Sequence, residues 1–187
     1  TQGKFDGIFG MGGTGGTSIA SRAMRALPVG LPKVMLSTVG GGNVAPYSGI
    51  KDITFIPSIV DVSGFNRIST TMYANGAGAI AGMVLQEPGE SRQEKPLIAA
   101  SMFGNTTQCV DRARHNMENN GYEVMVFHAT GVGGRTMEGL IDAGYFTACL
   151  DITTTELADE VCGGVFSAGP ERMLAAAKAG LPTVLVP

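Results

Sequence analysis

Short apolar runs separated by helix-length segments, with glycine-rich turns where two of those runs end, predict an α/β fold. The expected form is doubly wound, with parallel sheets in two domains of the same kind. Strands joined through intervening helices need right-handed crossovers and therefore pair in parallel. Both faces of such a sheet are covered, so its strands read as continuous apolar runs, as Val124-Met125-Val126-Phe127 does.

Taken in order, Phe5 to Met11 is a short buried strand ended by glycines, and Thr17 to Leu27 has the composition of a helix closed by Pro28 and Gly30. Lys33 to Thr38 is a second strand, followed by Gly40-Gly41-Gly42-Asn43, and Asp52 to Ile56 a third. Phe65 to Leu85 suits a long helix, although Gly76, Gly78 and Gly82 each cost up to ~1 kcal/mol of helix propensity relative to Ala. Those glycines read either as close packing against a sheet or a second subunit, or as backbone approach to a ligand. Residues 86–95 carry no apolar side chain but hold Pro88, Gly89 and five charges, the composition of a linker between a first part, 1–85, and a second, 96–187. The second part alternates more cleanly. Strands are expected over Pro96 to Met102, Tyr122 to His128, Thr147 to Asp151 and Pro182 to Val186. Helices are expected over Thr106 to Asn119, Gly134 to Ala143, Thr155 to Val161 and Pro170 to Ala179.

Composition narrows the function classes. With 13 Lys+Arg against 16 Asp+Glu among 187 residues the net charge is −3, which argues against a basic nucleic-acid platform. Hydrophobic residues at 44% with charged residues at 16% exclude a disordered chain, and no apolar run approaches the roughly 20 residues of a membrane span. Cys109, Cys149 and Cys162 form no C-x-x-C pair, so neither a zinc site nor a secreted disulfide framework is indicated, and a reducing, cytoplasmic setting is expected. The chain starts without Met and stops on the apolar run Val184 to Pro187, which points to a piece of a longer polypeptide.

The chemistry lies in the glycine turns. A strand that ends in glycines and runs into a helix aims that helix's unpaired N–H groups at one point, where the dipole also favours negative charge. Gly12, Gly13, Thr14, Gly15, Gly16 and Thr17 form such a turn; Ser37, Thr38 and Gly40 follow the next strand and join them as candidates for holding a phosphate. Gly10 to Gly15 satisfies G-x-G-x-x-G, but the acidic residue that would bind a dinucleotide ribose is absent from the end of the next strand, which disfavours NAD. Gly10 to Thr17 also approximates a P-loop with Gly16 in place of the Lys, leaving backbone binding feasible and phosphoryl transfer unsupported. Thr130, Gly131, Gly133, Gly134 and Arg135 repeat the pattern after the strand ending at His128. Asn105, Thr106 and Thr107 are further substrate-binding candidates, or ordinary helix caps. For catalysis the inventory is thin: His128 at a strand end, Asp151, and Glu156, the last equally a helix-start acid. Asn66 and Arg67 read either as an anion contact or as partners of Asp61. There is no cluster with metal-ligand spacing.

Longer strings carry more. Gly10-Met11-Gly12-Gly13-Thr14-Gly15-Gly16-Thr17, Met24-Arg25-Ala26-Leu27-Pro28-Val29-Gly30-Leu31-Pro32-Lys33, Asp61-Val62-Ser63-Gly64-Phe65-Asn66-Arg67, Phe127-His128-Ala129-Thr130-Gly131-Val132-Gly133-Gly134-Arg135-Thr136 and Leu150-Asp151-Ile152-Thr153-Thr154-Thr155-Glu156 together resemble the UPF0261, or Tm-1-like, family over essentially the whole chain. The resemblance implies two Rossmann-like domains, of which this chain would hold the end of the first and the start of the second. It also implies ATP, with or without Mg, bound by the first domain, and self-association in a plant member that blocks viral RNA synthesis; bacterial members have no settled reaction. Three functional readings follow: a nucleotide or small phosphorylated ligand bound at Gly12 to Thr17; an enzyme acting on a small phosphorylated or carboxylated substrate between two domains; and a non-catalytic oligomeric interaction module.

Overall fold

The computed structural model describes residues 3–87 and 94–187, so most of the expected linker lies outside the described residues. The chain divides into two compact units between Glu90 and Ser91. Each is a parallel sheet dressed with helices, a doubly wound, Rossmann-like α/β arrangement.

The first unit runs β1 (Ile8–Gly12), α1 (Thr14–Arg25), β2 (Lys33–Ser37), α2 (Ala45–Ser48), β3 (Thr54–Pro57) and α3 (Arg67–Leu85), its three strands in the order β1-β2-β3. Central β2 is buried along its whole length, as a doubly covered strand must be. Its first residue, Lys33, is fully buried and spends its three donors on the Pro28 and Leu31 carbonyls (2.7 and 2.8 Å) and on Asp52 (2.9 Å). Burial alone would raise the Asp52 carboxyl, but hydrogen bonds from Lys33 and the Gly30 amide, with the lysine charge, hold it below its usual range. Asn66 opens α3 as a capping box, accepting from the Ile68 and Ser69 amides while Ser69 Oγ accepts from the Asn66 amide. Gly76 explains itself: a Cβ there would stand 3.0 Å from the Phe9 ring and 3.1 Å from Leu36, so glycine lets α3 lie close on the sheet.

The second unit runs β4 (Leu97–Met102), a 3₁₀ turn (Gly104–Thr106), α4 (Thr107–Asn119), β5 (Glu123–His128), α5 (Val132–Asp142), β6 (Ala148–Asp151), α6 (Thr155–Cys162), α7 (Leu174–Lys178) and β7 (Thr183–Leu185). Its strand order is β5-β4-β6-β7. Successive residues of β4 feed opposite layers: Ala99 packs with Met137, Ile141, Phe146 and Cys149 on one face, Ile98 and Ala100 with Val110 and Val124 on the other.

Two helix starts differ from the sequence reading. Helix α1 begins at Thr14 and α5 at Val132, so both glycine turns are drawn into the first helical turn instead of preceding it. The last helix is shorter than expected, because residues 170–173 form turns and Met173 takes a left-handed conformation (φ 74°).

Candidate functional site

Gly13 is the N-cap of α1, in extended conformation, with no side-chain capping bond and no acidic residue in the first turn. The first helical bond runs from the Thr17 amide to the Gly13 carbonyl (2.8 Å). The amides of Thr14, Gly15 and Gly16 therefore have no acceptor among the described residues, and these three residues are exposed. The hydroxyls of Thr17 and Ser37 are buried instead, 2.6 Å from each other, and Ser37 Oγ also accepts from the Val39 amide (3.1 Å). With the Thr38 amide donating to the Gly12 carbonyl (3.3 Å), these contacts fix the exit of β1 against the exit of β2.

The glycines of this turn fall into two groups. A Cβ on Gly40 would meet the Ile56 carbonyl oxygen at 2.9 Å, so packing demands glycine there, and one on Gly12 would press on Gly16 Cα at 3.0 Å. At Gly13 the nearest atom to a Cβ would be Thr38 Oγ1 at 3.7 Å, at Gly16 the Met11 carbonyl oxygen at 3.7 Å, and at Gly15 nothing within 4 Å; none of the three has positive φ. Neither sterics nor backbone conformation within the unit requires glycine at 13, 15 or 16.

The second turn looks alike in sequence and is occupied by the protein itself. The amides of Gly131 and Gly134 donate to Glu156 Oε1 at 2.6 and 3.0 Å. A Cβ on Gly134 would collide with that carboxylate and one on Gly133 with the His128 carbonyl, while Gly131 needs its positive φ of 82°. The other carboxylate oxygen, Oε2, takes Arg172 Nε (2.7 Å), and the same guanidinium is bidentate on Asp151 (2.6 and 2.7 Å) and reaches Glu138 (3.2 Å). Ser101 donates to Asp151 (2.6 Å), and Glu138 accepts from the Met173 and Ala175 amides (2.9 and 2.8 Å). Glu156, Asp151 and Arg172 are 0%, 2% and 3% exposed. Burial by itself would lower the Arg172 pKa, but the hydrogen bonds and charges of Asp151 and Glu156 raise it further above the normal arginine range.

Asp151 and Glu156 are thus brought together by Arg172, a residue that local sequence did not single out. The available signal was the pair of acids placed in apolar surroundings, which calls for a cation elsewhere in the chain. His128 is exposed at the exit of β5 with its ring against Phe103 (5.4 Å between centroids). Strands β4 and β6 are neighbours whose connections leave in opposite directions, the topological switch point of the sheet. Thr106 and Thr153 bridge it, Oγ1 to Oγ1 at 2.7 Å, while Thr107 bonds back to the Phe103 and Gly104 carbonyls. Asn105 is exposed, Thr130 Oγ1 donates to the His128 carbonyl, and Arg135 reaches the Ser167 carbonyl (3.3 Å). Among the described residues no three His, Cys, Asp or Glu side chains are grouped to hold a metal, and no helix is long and apolar enough to cross a membrane.

Parallel sheets, helices on their faces and a glycine turn leading into a helix define the Rossmann-like class. The chain belongs to the UPF0261 family: residues 1–89 match the model described as "Uncharacterised protein family (UPF0261) N-terminal domain" and residues 95–187 its C-terminal counterpart. It is 58% identical over 181 residues to a UPF0261 protein of Clostridium tetani, covering 97% of this chain and 45% of that protein. A UPF0261 protein of Mesorhizobium japonicum is 48% identical over 177 residues, covering 95% of this chain and 44% of that protein. The ToMV resistance protein Tm-1(GCR237) of Solanum lycopersicum is 44% identical over 184 residues, covering 96% of this chain and 24% of that protein. The chain spans less than half the length of these relatives.

Proposed function

We propose that this UPF0261 chain binds a phosphate-bearing ligand, ATP first among them, at the turn from Gly13 to Gly16, and that binding rather than bond-breaking is the role of this site. One observation carries the reading: at the start of α1 three exposed amides have no acceptor among the described residues, and a Cβ on Gly13, Gly15 or Gly16 would meet nothing closer than 3.7 Å. Glycine at a helix start is needed where an outside atom must approach the backbone, and phosphate oxygens would accept from Thr14, Gly15 and Gly16 with the α1 dipole in support. Turnover of a small phosphorylated or carboxylated substrate has less support. Asp151 and Glu156 are sealed against Arg172, which leaves exposed His128 as the free acid/base candidate.

The test is calorimetry with ATP and with inorganic phosphate, on the wild-type chain and on Gly15→Ala. The expected result is binding by the wild type and weaker binding by the variant, while the ligand-free variant melts higher, since Ala at a compatible helical site gains about 0.4–1 kcal/mol. No heat at millimolar ligand, or equal affinity in both proteins, defeats the proposal.

A further inference from the structure

Along the carboxyl rim of the first unit the three strand exits lie level, since Gly12 of β1 pairs with Ser37 of β2 and Ser37 with Pro57 of β3. Adjacent strands are ~4.8 Å apart, so the exit of β3 stands roughly 10 Å from the glycine turn. Just past that exit the chain adopts a turn that its sequence does not favour. The Val60 amide donates to the Ser58 carbonyl (2.7 Å), closing a three-residue γ-turn around Ile59, whose φ is 65°. That left-handed region suits glycine, and a β-branched residue is strained in it. Buried Ser58 pins the turn: its amide donates to the Ser37 carbonyl (3.0 Å) and its hydroxyl to the Val60 carbonyl (2.6 Å). Ser37 is also the residue whose hydroxyl meets that of Thr17 in α1, so one residue ties the strained turn to the glycine turn. Met173, the other non-glycine residue with positive φ among the described ones, has an internal partner, its amide donating to Glu138 beside Arg172. Ile59 differs, for the side chain held in this way is 68% exposed.

We propose that Ile59 is a specificity-determining residue of the phosphate site, an apolar wall on which the planar base of a nucleotide lies while its phosphates meet the Thr14, Gly15 and Gly16 amides; this rests on the binding reading given above. The order of chemistry along the rim selects the ligand. After β1 come bare amides, which suit anionic oxygen. At the exit of β2 stands exposed Thr38, its hydroxyl 3.7 Å from where a Cβ on Gly13 would be, which suits a hydroxylated sugar. Past β3 comes the exposed aliphatic side chain of Ile59. Phosphate, sugar and base succeed one another in that order in a nucleotide, whereas inorganic phosphate or a simple sugar phosphate would leave Ile59 bare. Strained backbone collects where ligands are clamped, and a β-branched side chain has few rotamers, so the wall is set before the ligand arrives and little ordering is lost on binding.

Calorimetry and isoleucine-methyl NMR on the 187-residue chain, with ATP and with tripolyphosphate as probes, test this. In the wild type ATP is expected to move the Ile59 methyl resonance upfield through the ring current of the base, and tripolyphosphate is expected to leave it in place. Ile59→Gly relieves the backbone and removes the wall, so it should bind ATP about tenfold more weakly and tripolyphosphate as the wild type does. Gly15→Ala should weaken both. The methyl resonance decides the matter if Ile59→Gly folds poorly. A wild type that binds ATP with the Ile59 methyl unmoved, or a folded Ile59→Gly chain that keeps its ATP affinity or loses both ligands alike, overturns the role of Ile59 and leaves the phosphate site standing. A wild type silent towards both probes overturns the two together.

Discussion

Replacing Arg172 with Met removes the guanidinium and keeps much of the side chain's length and apolar stem. The structure sets the size of the effect. Arg172 bonds Asp151 twice, Glu156 once and Glu138 once, in a site where it and the first two carboxylates are almost wholly buried. Breaking one buried pair by removing a single partner costs about 3–5 kcal/mol, because the remaining charge is left uncompensated. Here more than one carboxylate loses its partner, so the upper end of that range is expected. Glu156→Gln should cost less, about 1–2 kcal/mol, since an amide oxygen still accepts from Gly131 and Gly134 while its NH₂ faces Arg172 poorly. Adding Glu156→Gln to Arg172→Met should then relieve part of the loss, giving a coupling of about 0.5–3 kcal/mol. Because two compact units need not unfold together, the readout must be local: hydrogen exchange of peptides from β5 and α5, alongside urea unfolding followed by circular dichroism. A loss below about 1 kcal/mol in Arg172→Met, with exchange of the Gly131–Gly134 amides unchanged, would show that the network is not what holds this turn, and the argument would fail.

Other perturbations test neighbouring features. The Asp52 carboxyl sits below its usual range in the folded protein, so the unfolded chain binds its proton more readily. Its stabilising share is present at neutral pH and lost as the medium falls below about pH 4; Asp52→Asn should flatten that part of the acid-unfolding curve of the first unit. Burial, and then the charge of Asp151, push the Cys149 thiol up to about 12 while Cys109 and Cys162 are exposed, so a thiol reagent at pH about 8 should label the latter two in native protein and Cys149 only after unfolding. Thr17→Ala strips Ser37 Oγ of a buried partner and should destabilise the first unit by about 1–3 kcal/mol, measured by urea unfolding, with phosphate affinity changed far less than by Gly15→Ala.

The strands and most helices were legible because their signals are local. An apolar run such as Val124 to Phe127 means a doubly covered strand, and Pro28 with Gly30 ends a helix wherever it lies. Helix starts were less legible because glycine reads as a breaker, yet the first residues of a helix lack internal N–H bonds in any case and tolerate it; hence α1 begins at Thr14 and α5 at Val132. The role of Asn66 was ambiguous until Ser69 was seen to complete a capping box with it. Arg172 gave no local signal at all. Its importance comes from carboxylates 16, 21 and 34 residues earlier in the chain, a separation that only the fold closes.

The two glycine turns show why a motif of this kind underdetermines function. Each places bare amides at a helix start after a strand, and each therefore attracts an anion. At the second, Glu156 arrives from the next helix and Arg172 fixes its charge, so the attraction is spent on holding α5 to α6 and on seating Asp151 beneath the sheet's switch point. At the first, the Thr17 and Ser37 hydroxyls are buried against one another, and the three exposed amides have no acceptor among the described residues. Glycine is compelled at 131, 133 and 134 by atoms that can be named, and at 13, 15 and 16 by none. A helix start tolerates glycine without demanding it, so glycines there with no internal reason leave the backbone open to an outside group. The Gly15→Ala experiment therefore carries weight beyond one site. If Ala there stabilises the free protein and spares phosphate binding, unexplained glycines lose their value as markers of contact.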